Sequence, residues 1–147
     1  SDLFVSGPQT SLDSIFNEAE FSASSDMVVN KDIEFYSQCE HHLVPFFGRC
    51  HIGYIPDGKV LGISKLARIV KKFAQSLQLQ EQLTDQIATA IQDLIQPKGV
   101  IVVVKGEHLC VKMRGIESQH SSMVTISKRG EFRNNEKQSE FLSLLQV

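Results

Sequence analysis

The densest run of reactive side chains in the sequence is Ser37-Gln38-Cys39-Glu40-His41-His42. Cys39 and His42 have C-x-x-H spacing, short enough for one turn to bring a thiolate and an imidazole onto a single metal ion. A third donor is Cys110, within His108-Leu109-Cys110. Residues two apart in an extended strand point to the same side, so His108 and Cys110 would share one space. Together Cys39, His42 and Cys110 form a donor set suited to zinc, with His41 and His108 as spare imidazoles. Three protein ligands leave the fourth tetrahedral position of zinc for water, which the ion acidifies from a pKa of about 15.7 toward ~7. Imidazoles that are not ligands, with ordinary pKa values near ~6.5, can then carry protons. Two plainer readings stand beside this one. The C-x-x-H spacing can be structural or accidental, and His108 with Cys110 can complete a closed Cys2His2 site with no room for water.

Other candidates need a partner to acquire a role. Lys65 and Arg68 lie three apart in the first turn of a predicted helix opening at Ser64, where free amides and the helix dipole favour an anion. Arg114 follows Cys110 by four residues, which keeps it close to the proposed metal. Each of these basic residues also fits a solvated surface charge. Glu81, preceded by Gln80, opens a second predicted helix and alone is only an N-terminal helix carboxylate. Cys50 alternates with apolar positions in Arg49-Cys50-His51-Ile52-Gly53 and reads as a small buried residue. His51 in that strand reads as a satisfied sheet histidine, and His120 in a polar loop shows no partner.

These residues must be positioned by an alternation of strands and helices. Residues 1–26 mix Ser, Asn, Gly and Pro with scattered apolar residues and read as a loosely structured arm before a domain over 27–147. Met27-Val28-Val29 with Ile33, Phe35 and Tyr36 predicts a strand. Two more are predicted over 49–55 and 59–63, joined as a hairpin by Pro56-Asp57-Gly58. Ser64 is the expected N-cap of a helix to about residue 76, with Leu66, Ile69, Val70 and Phe73 at helical spacing. Leu83, Ile87, Ile91, Leu94 and Ile95 stripe a second helix that Pro97-Lys98-Gly99 stops. The run 100–105 predicts a buried strand continuing through 108–113. A last hairpin is expected from 123–126 and 131–133 around Lys128-Arg129-Gly130, then a short helix over 136–145. Strands, two adjacent helices, then strands indicate an α+β domain with an antiparallel sheet.

Bulk properties exclude several classes. At 147 residues the chain fits one domain, and its formal charge of -2 lacks the basic footprint of a DNA- or RNA-binding protein. No apolar run approaches the ~18 residues a membrane helix needs. The three cysteines are too few and too odd in number for a disulfide scaffold, so a reducing cytoplasm is the expected compartment.

Taken in order, four blocks resemble the GTP cyclohydrolase I family. They are Cys39-Glu40-His41-His42-Leu43-Val44-Pro45-Phe46 continuing to His51-Ile52-Gly53-Tyr54-Ile55-Pro56; Gly62-Ile63-Ser64-Lys65-Leu66-Ala67-Arg68-Ile69-Val70; Gln78-Leu79-Gln80-Glu81-Gln82-Leu83-Thr84; and Glu107-His108-Leu109-Cys110-Val111-Lys112-Met113-Arg114-Gly115. The resemblance spans residues from about 27 to 145. It implies a T-fold (tunnelling fold), assembled from pentameric rings into a homo-oligomeric decamer with active sites between subunits. By residue match it implies zinc on Cys39, His42 and Cys110, and proton transfer by His41 and His108. Glu81, supported by the backbone near Gln80, would take the guanine N1 and exocyclic amino hydrogens. Ser64, Lys65, Arg68 and Arg114 would hold the ribose and triphosphate of GTP. The implied chemistry is hydration at C8, ring opening, loss of C8 as formate, Amadori rearrangement of the ribose and closure to 7,8-dihydroneopterin triphosphate.

The chain departs from that pattern as well. It reads as an N-terminally short form without the family's usual basic helical region, and Ser76 and Gln82 stand where Arg is common. Glu117, Ser118, Met123 and Ile126 replace a segment usually richer in Lys, Ser and Thr. Weakened triphosphate recognition is the expectation that follows. A non-catalytic purine-binding relative, or a nitrile reductase of the same fold working through a cysteine without zinc, are the alternative functions.

Overall fold

The computed structural model describes residues 20–22, 26–38, 45–75, 79–108 and 122–147. Its elements in chain order are β1 (Glu20–Ser22), β2 (Val28–Gln38), β3 (Pro45–Ile55), β4 (Lys59–Leu61), α1 (Ile63–Ala74), α2 (Gln80–Ile95), β5 (Gly99–His108), β6 (Ser122–Gly130), a 3-10 turn (Glu131–Arg133) and α3 (Asn135–Leu145). Four strands form an antiparallel sheet in the order β2-β3-β5-β6, and β1 pairs separately with β4.

Alternation along the strands decides which face is covered. Cys50, Ile52 and Tyr54 of β3 and Val100, Val102 and Val104 of β5 are fully buried. They pack in one cluster with Leu66, Ile69 and Val70 of α1 and Leu83, Ile87 and Ile91 of α2. Each such side chain contributes roughly 1.5–3 kcal/mol by leaving water. Cys50 is therefore the small buried residue its setting predicted, and burial pushes its thiol pKa far up, so it is inert as a nucleophile. On the opposite face Ile55, Ile101, Phe132 and Phe141 form a second cluster, with the Phe132 and Phe141 rings edge to face at 6.1 Å. It seats α3, whose first turn is capped by the Asn134 side chain accepting from the Glu136 amide at 2.7 Å.

Four sequence expectations change. The turn 56–58 forms, with Gly58 at φ 98°, but it makes no hairpin. Tyr54 of β3 already pairs with Val28 on one side and Val100 on the other, so β4 has no free edge there and pairs with β1 instead. The Tyr54 hydroxyl ties β4 down by accepting from the Leu61 amide at 3.0 Å. That pairing also makes part of the expected N-terminal arm a strand. Helix α1 starts two residues before Ser64 would have capped it: Gly62 is the N-cap, its carbonyl accepting from the Lys65 and Leu66 amides, and Ser64 sits inside the first turn. Lastly, β6 runs unbroken through Lys128 and Arg129 against β5. Gly130, at φ 62°, then turns the chain so that Phe132 is buried, and no final hairpin forms.

Where β3 and β5 cross at Gly48, a Cβ would lie 2.1 Å from the Lys105 carbonyl oxygen. Backbone in a central strand cannot withdraw as a flexible side chain would. Gly48→Ala is expected to cost at least ~1–3 kcal/mol as an overpacking substitution. Thermal unfolding checks it, and an unchanged midpoint would show that the strand pair opens without cost.

Candidate active site at one end of the sheet

Register locates the site better than any single side chain. Gln38, the last residue of β2, pairs with Pro45, the first of β3, and Phe46 pairs with His108, the last of β5. Ser122 opens β6 opposite Glu107. Segments 39–44 and 109–121 therefore leave the sheet at the same end, from strands about 5 Å apart per step. Cys39, His41, His42, Cys110 and Arg114 lie on those segments, outside the described residues, as does His120. Cys39 directly follows Gln38, and Cys110 comes two residues after His108. Among the described residues no three His, Cys, Asp or Glu group to hold a metal ion. Cys39 follows β2 and Cys110 follows β5, the two strands that flank β3, and two thiolates with an imidazole are a donor set that fits zinc.

Helix α2 starts over the half of the sheet nearer this end, at the level of Val104 to Gly106. The Gln80 side chain is buried, its Nε2 donating to the Val104 carbonyl at 3.0 Å and the Met123 carbonyl at 2.9 Å. Any ligand contact at position 80 is thus left to its backbone. Glu81, one residue on, is exposed.

The anion-binding candidates lie elsewhere. Helix α1 follows β4, which is fastened to Tyr54, and Tyr54 pairs with Val100. The level of Tyr54 and Val100 is eight residues along the sheet from that of Phe46 and His108, on the order of 27 Å. Ser64, Lys65 and Arg68 thus follow the Tyr54 end of the sheet, whereas the start of α2 is fastened between the two ends, near Val104 and Met123. Lys65 is buried, and Arg68 is exposed. Within one chain the sequence-predicted site is split into two halves.

A third region was not anticipated. The sheet face turned away from α1 and α2 holds a cavity of about 630 Å³ lined by Glu34, Tyr36, Arg49, His51, Lys105 and Glu107 among others. Among the described residues, Ser64, Lys65, Arg68, Gln80 and Glu81 do not line it. His51 is the satisfied sheet histidine its strand suggested. Its Nδ1 accepts from the Asp32 amide at 3.0 Å, where β2 bulges and Asp32 takes φ 61°. Burial lowers the His51 pKa first, Arg49, Lys31 and Lys105 lower it further, and Asp32 opposes them. A lowered histidine pKa means the unfolded chain takes up the proton first as pH falls. His51 thus adds stability above about pH 6.5 that is lost on acidification. The thermal midpoint should fall between roughly pH 7 and 5. A His51→Gln variant should flatten that slope, and an identical slope in both proteins would exclude the imidazole as its source.

Sequence reasoning missed Thr84 and Thr125, which join Gln80 in a buried polar cluster. A signal existed, since Gln80 and Thr84 fall in helical phase with the Leu83, Ile87 and Ile91 stripe.

With this geometry in place, similarity to known proteins is informative. The GTP cyclohydrolase I family profile matches residues 2–146. A GTP cyclohydrolase 1 of Methylococcus capsulatus is 56% identical over 142 residues, covering 95% of this chain and 77% of the relative. One of Pseudomonas aeruginosa, named GTP cyclohydrolase 1 2, is 55% identical over 141 residues, covering 95% and 78%. Among solved structures, the apo archaeosine synthase QueF-Like superposes with TM-score 0.62 at 21% identity, covering 74% of this chain and 97% of that one. Escherichia coli dihydroneopterin aldolase in complex with neopterin gives 0.57 at 12% identity, covering 72% and 100%. These two likenesses establish the architecture as a T-fold. Because the profile takes in nearly the whole chain and more than half the aligned residues are shared with its relatives, the chain belongs to the GTP cyclohydrolase I family.

Proposed function

We propose that this chain is a GTP cyclohydrolase I, opening the guanine ring of GTP hydrolytically, releasing formate and forming 7,8-dihydroneopterin triphosphate. The observation that supports it best is that, in a chain of this family, the roots of both ligand-bearing segments share one end of the sheet, with the start of α2 over the same half. Cys39, His42 and Cys110 would hold zinc. When bound, zinc supplies the Lewis acidity that makes water nucleophilic near neutral pH. His41 and His108 move protons to and from the guanine N7 and N9 as their bonds to C8 break. Glu81 accepts from N1–H and the exocyclic amine, a donor pair matched by the two carboxylate oxygens. Ser64, Lys65, Arg68 and Arg114 hold the ribose and triphosphate.

The distance between the two halves of the site supports assembly. The α1 start follows the end of the sheet opposite the roots of the ligand-bearing segments, so a second copy would complete the pocket. Among the described residues β2 pairs only with β3 and β6 only with β5, leaving two long outer edges. Such edges are templates for another chain. Edge-to-edge closure into pentameric rings, two rings stacked as a decamer, is the assembly we favour. No helix among the described residues is long and apolar enough to cross a membrane. Two thiolates reserved for a metal call for a reducing compartment such as the cytoplasm.

The test is to incubate zinc-loaded protein with GTP and measure formate together with pterin fluorescence after oxidation. Formate and pterin in equal amounts are expected. A zinc-replete protein that yields neither would return the chain to the class of non-catalytic purine binders.

A further inference from the structure

The N-terminal turn of α2 is fastened in an unusual way. Its N-cap, Leu79, makes no side-chain cap. The anchoring comes instead from Gln80, which is 2% exposed, and Thr84, which is 1% exposed. Gln80 Nε2 donates to the Val104 carbonyl at 3.0 Å, the Met123 carbonyl at 2.9 Å and Thr125 Oγ1 at 3.2 Å. Thr84 Oγ1 donates to the Gln80 carbonyl at 2.8 Å and lies 2.6 Å from Thr125 Oγ1. One amide group thus reaches two strands at once, and two threonines close the network around it.

Apolar packing alone would not hold this turn in place. The Leu83, Ile87 and Ile91 stripe is attracted to the sheet without directionality, so it tolerates small slides and rotations of the helix. Hydrogen bonds do not, because a shift leaves the buried Val104 carbonyl and the half-buried Met123 carbonyl without this donor. Met123 follows Ser122, the first residue of β6, and Val104 lies four residues before His108, so the two acceptors span the half of the sheet that leads to the 109–121 connection. Glu81 is the next residue on the helix.

We propose that Gln80, with Thr84 and Thr125, is a positioning device that holds the Glu81 carboxylate in a fixed place over β5 and β6, and thereby determines selectivity for a purine bearing an exocyclic amine. The inference rests on the reading of Glu81 as the guanine acceptor. It assigns the Gln80 side chain a role through its neighbour rather than on substrate.

The discriminating measurement is the preference for GTP over ITP, which lacks that amine, taken as the ratio of kcat/KM values. General loosening of the protein would slow both nucleotides alike and leave the ratio unchanged. Misplacement of Glu81 would compress it. In Gln80→Met, which keeps the length and removes the donor, the ratio should shrink about 10–100-fold, mostly through KM, the scale expected for a small misplacement of a binding group. Zinc content should remain at the wild-type level. In a Glu81→Ala background Gln80→Met should compress the ratio no further. Thr125→Val, which leaves both carbonyl partners of Gln80, should give a smaller compression and carries the test if Gln80→Met does not fold. A wild-type ratio in the variants, or compression that adds to that of Glu81→Ala, would overturn the proposal. If Glu81→Ala itself keeps the ratio, the reading of Glu81 as the guanine acceptor fails instead, and this inference with it.

Discussion

Replacing Cys110 with Ala should abolish pterin formation and formate release and strip zinc from the protein together. Removing partners that merely orient metal ligands costs ~10–100-fold in affinity or activity, so losing a direct ligand should exceed ~100-fold in both. Elemental analysis after dialysis against zinc-buffered solution reads the metal, and the formate assay reads the activity. Cys50→Ala is the matched control, because that thiol is fully buried in the core between the sheet and its helices. It should retain zinc with at most a modest loss of stability. A Cys110→Ala protein that kept both its metal and its turnover would remove the 109–121 connection from the proposed centre, and with it the argument from strand register.

Glu81→Ala is the second large effect. A carboxylate accepting two hydrogens from one purine edge makes charge-assisted bonds of ~1.5–3 kcal/mol each, so kcat/KM for GTP should fall about 10²–10⁴-fold. The loss should be smaller for ITP, which offers only one of the two hydrogens. Glu81→Gln should fall between wild type and Ala, since one of its two terminal atoms is a donor facing a donor. Exposure of Glu81 in the single chain agrees with a residue that a ligand or a second copy covers. Equal losses for the two nucleotides would place the carboxylate somewhere other than the amino edge of the base.

Several elements were legible in the residues themselves. The stripe from Leu83 to Ile95 forms α2 over Gln80–Ile95, and the β-branched run 100–105 lies within β5. Cys50 and His51 proved to be a core residue and a satisfied sheet histidine, as their alternation in β3 implied. Each of these rests on a pattern repeating every two or every three to four residues, which short-range sequence displays directly. The pairing of β4 with β1 was not legible, because whether a strand can join its predecessor depends on whether that predecessor's edges are occupied. Nor was the end of β6 at Gly130, where burial of Phe132 with Phe141 against Ile55 and Ile101, far back along the chain, selects a turn over a hairpin.

For the site, the sequence by itself supplied the candidates: the side chains proposed to bind zinc, move protons, accept from guanine or attract phosphate. Tertiary structure alone decided where they stand. Sheet register brings residues 38, 45, 108 and 122 to one end, and the path through β4 carries Ser64, Lys65 and Arg68 to the other. Reactivity is a property of a side chain and its near neighbours, whereas the separation of residues far apart in sequence is set by which strands share hydrogen bonds. For that reason the candidate donors could be read from one chain's letters, while the placement of Ser64, Lys65 and Arg68 away from the roots of the ligand-bearing segments came only from the fold.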